Sequence, residues 1–227
     1  MNPRRILAAL VVGLAALGPM AAIAQDEFRP ASGKGRLVVV LSGHTGPNLY
    51  RRACTQLAEL GYDVVLFDSN KIVASASNRD YDAALRSAIA QARQMPNALP
   101  GKIGLVGFSL GGGLALGPGS KLADDVAVVV AWYPMTSEFK DIPGFASRIR
   151  VPVVMFAGTE DSYHSCCVIE KARAIASAAK ASNAPLELTT YAGAQHGFNL
   201  AGTNYNRPAT DDAFQRTAAA LKLRLGN

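Results

Sequence analysis

Residues 102–113 read Lys-Ile-Gly-Leu-Val-Gly-Phe-Ser-Leu-Gly-Gly-Gly: an apolar run that stops at a serine set between two glycines. Lys102 to Phe108 is too short and too uniformly apolar for a surface helix and reads as a buried strand. Ser109 then opens a helix of small residues, cut short by Gly117-Pro118-Gly119. Gly107-Phe108-Ser109-Leu110-Gly111 fits Gly-x-Ser-x-Gly, a pattern that 21 glycines could produce by chance. Its setting between a strand and a helix is what makes it informative. There the serine occupies a strained turn, its hydroxyl stands above the end of the strand, and the flanking glycines avoid a clash between crowded backbones.

On either side of this stretch the chain alternates short apolar runs with amphipathic ones. Arg36 to Ser42, Tyr62 to Phe67, Val126 to Trp132, Val151 to Ala157 and Leu186 to Tyr191 complete a set of six strands. The runs are apolar throughout, as strands covered on both faces are. Pro47 to Leu60, Arg79 to Met95, about Cys166 to Ala181, and Asp211 to Leu225 read as helices, whereas Gln25 to Gly35 is a polar entry segment and Met135 to Arg150 looks irregular. The alternation predicts one three-layer α/β domain with a mostly parallel sheet, helices on both faces and right-handed crossovers. Residues 135–150 leave no room for a large lid.

Composition narrows the classes further. Hydrophobic residues make up 49% of the 227 and charged ones 18%, which permits a sizeable core and excludes intrinsic disorder. No heptad is sustained, and no repeat of solenoid length is present. The net charge of +6 falls to +4 without Arg4 and Arg5, and the basic residues are scattered without interleaved aromatics, so nucleic acid is not an expected partner.

Arg4 and Arg5, the apolar stretch Ile6 to Leu17, the Gly18-Pro19 break and Ala22-Ile23-Ala24 together read as a secretory signal. Cleavage before Gln25 would leave residues 25–227 as one exported domain with no membrane attachment, a bacterial periplasm fitting best. Cys54, Cys166 and Cys167 are then an odd set in an oxidising compartment. The expected bridge joins Cys54 to Cys166 or Cys167. A ring between the neighbours Cys166 and Cys167, or three buried thiols, are the alternatives. No second Cys-x-x-Cys or histidine pair accompanies them, so neither a metal nor another cofactor is expected.

A serine hydroxyl at its ordinary pKa is a poor nucleophile and needs a base held by a carboxylate. Three histidines are available: His44, His164 and His196. His196 lies between the last strand and the last helix, and Asp161 lies just past strand 151–157. Both positions, like Ser109, fall beyond the carboxyl ends of parallel strands, so the fold should gather them on one rim. Glu160 is the rival acid, disfavoured by the Gly-x-x-Asp spacing. The His44 and Leu110 amides, with Thr45 in reserve, are candidate donors to an oxyanion. Tyr133, Tyr163, Phe198 and Arg79 are candidate substrate contacts.

Taken together, GFSLGGG (107–113), AGTED (157–161) and QHGF (195–198) resemble the dienelactone hydrolase family of the α/β-hydrolase superfamily. The likeness runs over about residues 36–225. It implies the α/β-hydrolase fold and a small, lid-poor, cofactor-free hydrolase acting on a small-molecule ester or lactone. Two positions depart from the family's namesakes, which carry cysteine in place of Ser109 and a glutamate where this chain has Gly43. Their joint replacement favours a serine mechanism and a general carboxylic ester over a dienelactone. Acyl or peptide-bond transfer on the same residues, and an exported binding protein without turnover, are the alternatives.

Overall fold

The computed structural model describes residues 25–226; the leader reading over 1–24 lies outside the described residues. Seven strands form one sheet: β1 (Gln25–Phe28), β2 (Gly35–Leu41), β3 (Asp63–Phe67), β4 (Ala98–Phe108), β5 (Val126–Trp132), β6 (Val153–Gly158) and β7 (Leu186–Tyr191). Their order is β1-β3-β2-β4-β5-β6-β7, every pairing parallel except β1 with β3. Between them run α1 (Arg51–Glu59), α2 (Ser69–Ser75), α3 (Tyr81–Ala92), α4 (Leu110–Leu116), α5 (Ile142–Ala146), α6 (Ile169–Ala181) and α7 (Arg207–Leu225).

The uniform apolarity of the strands has the structural consequence it implies, since alternate side chains feed two separate cores. Val38, Val40, Val64, Leu66, Val106 and Val130 face α1 and α7. Leu37, Val39, Leu41, Val65, Leu105 and Val129 face the layer built from α2 to α6. Within the first core the Trp132 indole N–H donates to the buried Thr217 hydroxyl at 3.2 Å and so fastens β5 to α7.

The structure departs from the sequence reading at a few places, each with its own cause. β1 falls in the polar entry segment, where no strand was expected, because its formation depends on partners distant in sequence. Its backbone pairs antiparallel with β3, and Arg51 pairs with Asp26 while its guanidinium lies 5.0 Å from the Phe28 ring centroid. β4 begins at Ala98 and passes through Pro100, accommodated by a shift in register against β2 between Arg36 and Val38. Asp68 follows β3 and caps α2, accepting the Asn70 amide. Asp141 does the same for the short α5 through Gly144, inside the segment that read as irregular. That segment carries no large lid, so the carboxyl rim of the sheet stays open.

Candidate active site

Ser109 follows β4 directly, with φ 53 and ψ −112 in the left-handed half of the backbone map. Holding a serine there depends on its neighbours having no side chains. A Cβ on Gly107 would sit 2.2 Å from the Gly111 carbonyl oxygen, and one on Gly111 would sit 2.3 Å from that of Leu41. The Gly111 amide donates to Ser42, and the Ser109 amide donates to Trp132, which pins the elbow to β2 and β5. Leu110 is the first residue of α4, where an amide has no acceptor within its own helix.

The parallel sheet brings the three sequence-distant residues together. His196 Nε2 lies 2.9 Å from Ser109 Oγ, and His196 Nδ1 lies 2.7 Å from Asp161 Oδ2. The second Asp161 oxygen accepts the Tyr163 amide at 3.2 Å, so the carboxylate faces two donors although its side chain is fully buried. Glu160, the rival acid, is exposed. The imidazole is held from both sides. Tyr163 stacks on it at 4.5 Å between centroids and 6° between planes, and Tyr133 meets it edge-on at 4.8 Å. Asn204 donates to the His196 carbonyl and steadies the loop from below.

The remaining sequence candidates divide. Tyr163 is at the site and partly exposed, as a substrate contact must be. Tyr133 is buried, its hydroxyl donating to Asn199, and burial pushes that hydroxyl well above the usual tyrosine range. It supports the imidazole and is not open to a substrate. Phe198 is a correction: it is 0% exposed, packed among Trp132, Tyr133 and Tyr191, and belongs to the core. Arg79 is a second correction. It lines a cavity of about 430 Å³ with Tyr81, Lys121, Phe139 and Arg148, to which none of Ser109, Asp161 or His196 contributes. His44 is exposed in a turn that the Gly46 amide closes onto the Gly43 carbonyl, and its own carbonyl accepts from Asn70 at 2.9 Å.

Two features differ from the first reading of the sequence. Tyr50 looked like part of a surface helix, yet it is buried, with its hydroxyl facing Thr45, Tyr133 and the Gly43 backbone. A Cβ on Gly43 would fall 2.2 Å from that hydroxyl, so Tyr50 fills the space that a longer side chain at 43 would need. The cysteines are the other. The bridge joins Cys166 to Cys167, and Cys54 is a free thiol on the buried face of α1. The expected pairing to Cys54 fails because Cys54 packs in the α1/α7 core while Cys167 lies beside His196.

Comparison with known proteins agrees with this fold. Residues 23–224 match the Dienelactone hydrolase family. The chain belongs to the dienelactone hydrolase family. By that membership it is a carboxylic-ester hydrolase with the family's α/β-hydrolase fold. A carboxymethylenebutenolidase of Rhodococcus opacus is 28% identical over 210 residues, covering 82% of this chain and 80% of the relative. Among solved structures, Thermogutta terrifontis esterase 2 superposes with a TM-score of 0.67 at 22% identity, covering 89% of this chain and 90% of that one. The same esterase is known phosphorylated by paraoxon. A dienelactone hydrolase-like promiscuous phosphotriesterase from metagenomic libraries superposes at 0.69 and 18% identity, over 85% and 87% of the two chains.

Proposed function

We propose that this dienelactone hydrolase family member is an exported serine esterase, cleaving small carboxylic esters or lactones through an acyl-enzyme on Ser109. His196 Nε2 takes the Ser109 proton as the oxygen attacks the carbonyl carbon. The Leu110 and His44 amides receive the oxyanion, each worth roughly 3 kcal/mol in the transition state. Asp161 keeps the Nδ1 proton in place and stabilises the imidazolium. His196 then passes its proton to the departing alcohol, and a water deprotonated by the same nitrogen releases the acid.

The observation that carries this reading is the unbroken chain from Ser109 Oγ through the imidazole to Asp161, at 2.9 and 2.7 Å, on a serine of positive φ. The crowding of Gly43 by Tyr50 supports the serine route over that of the family's namesakes, since a glutamate at 43 would have to displace the buried tyrosine. Export is supported by the leader pattern of residues 1–24 and by a disulfide in the mature chain.

Purified Ser109→Ala should lose at least ~10⁴-fold in kcat on p-nitrophenyl acetate while keeping its circular dichroism spectrum. Paraoxon should add one diethyl phosphate to the wild-type protein and none to the variant. Retained turnover in the variant would defeat the assignment. A chain-length series of p-nitrophenyl esters beside simple lactones then separates ester from lactone preference.

A further inference from the structure

The Cys166–Cys167 bridge lies within reach of the imidazole that the proposed mechanism depends on. One ligand atom from each of Cys166, Cys167 and His196 falls within 4.8 Å of the other two. A tetrahedral zinc ion takes thiolate sulfur at about 2.3 Å and imidazole nitrogen at about 2.0–2.1 Å, which places its ligands roughly 3.5 Å apart. Reduction would free both thiols to turn about their own side-chain bonds toward that spacing.

The second partner of the imidazole suits a metal ligand. A metal-bound histidine usually donates its other ring N–H to a carboxylate, and His196 Nδ1 is held by the buried Asp161. That leaves Nε2, the nitrogen now turned to Ser109, as the ligand. The main chain carrying the thiols does not depend on the bridge for its position. The Thr136 and Ser137 amides both donate to the Cys166 carbonyl, at 2.8 and 2.9 Å. Cys167 is buried while Cys166 and His196 are only partly so, which gives an ion a way in from solvent.

We propose that Cys166, Cys167 and His196 form a redox-gated site for a thiophilic divalent metal, which shuts off hydrolysis when the disulfide is reduced. A phosphine or dithiol reductant supplies two electrons. With a phosphine, water provides the oxygen of the phosphine oxide and the two protons that complete the thiols. A zinc ion then displaces both thiol protons, and Nε2 gives it the lone pair that had accepted the Ser109 hydroxyl. Ser109 loses its base. The oxidised form offers no thiolate and stays active in the presence of zinc. The loss of turnover rests on the serine-hydrolase reading, but the binding event does not.

The test uses the full-length protein, oxidised or reduced with a water-soluble phosphine that is then removed. Cobalt(II) titration reads binding directly, through the near-ultraviolet thiolate-to-cobalt band. The reduced protein should take up one equivalent with that band, and the oxidised protein and a Cys166→Ser, Cys167→Ser double variant should show none. One equivalent of zinc should abolish both ester turnover and paraoxon labelling of the reduced protein, and a chelator should restore them. Each of three results would overturn the proposal: no thiolate band on reduction, equal zinc inhibition of the oxidised form, or labelling of Ser109 undiminished with metal bound. Failure of the chelator to restore activity would also overturn it, since collapse of the loop would then be the cause. If the protein never hydrolyses esters, the cobalt band still decides the site.

Discussion

Two aspartates are buried at opposite rims of the sheet and live under opposite conditions. Asp161, beyond the carboxyl end of β6, has a fully buried side chain and two donors, the His196 ring and the Tyr163 amide. Asp63 opens β3 at the other rim and is 0% exposed, yet among the described residues neither of its carboxylate oxygens accepts a hydrogen bond. Its neighbour is the carboxylate of Glu27, itself tied to Arg29 and Asn97. Burial first and Glu27 second push the Asp63 carboxyl up to about 6, where the neutral acid can donate to Glu27. Depth alone therefore does not decide what a buried carboxyl does; the donors that face it decide.

The sharpest way to break the comparison is to neutralise each aspartate in turn. Asp161→Asn keeps the size and removes the charge that fixes the imidazole tautomer, so kcat on p-nitrophenyl acetate should fall by ~10⁴-fold with the fold intact. Asp63→Asn in the same assay should leave kcat and KM unchanged. A fall of tenfold or less for Asp161→Asn would mean that Asp161 is not the orienting acid.

The Asp63 substitution should instead register in stability. An unfolded aspartate titrates near 3.9, so the folded chain holds this proton more tightly than the unfolded chain does. The resulting stabilisation is complete below about pH 4 and is lost as pH rises through 6. Glu27 moves in the opposite sense, lowered by its bond to Arg29, and acts below that window. Urea unfolding should show Asp63→Asn more stable than wild type by on the order of 2 kcal/mol at pH 8 and equal to it near pH 4. A constant difference across that range would remove Asp63 as its source.

The same contrast marks how far the sequence could be read. The Ser109 elbow was legible because its causes are local: a β-branched strand, two glycines with no room for a Cβ, and a helix of small residues. Asp161 and His196 followed from the rule that parallel strands deliver their loops to one rim, which needs only strand order and spacing. What was not legible depends on contacts that no pattern along the chain shows. β1 is a strand because β3 offers it a free edge. Tyr50 is buried because Gly43, seven residues earlier, leaves a gap that its hydroxyl fills. Phe198 was taken for a pocket residue because it adjoins His196 in sequence, but the turn at 197 sends its ring into the core. Cysteine spacing could not choose between partners, since nothing along the chain shows that Cys54 and Cys167 belong to different layers.

Tyr163 allows the finest division of the Asp161 site, because it contributes by two separable routes. Its amide donates to Asp161, and its ring lies over the imidazole. Substitution removes the ring and leaves the amide, so the second donor that distinguishes Asp161 from Asp63 survives in Tyr163→Ala. A stacked aromatic pair is worth about 0.5–1.5 kcal/mol beyond area burial, so kcat/KM should fall by roughly 2- to 13-fold. Tyr163→Phe keeps the ring face and should restore most of that loss, since the stacking does not involve the hydroxyl. If the phenylalanine variant falls as far as the alanine one, the hydroxyl touches substrate or water in the reaction, and Tyr163 acts on the ester as well as on the imidazole. A loss approaching that of Asp161→Asn would instead mean that the ring holds the whole 161–167 loop, and the two routes could not be treated as independent.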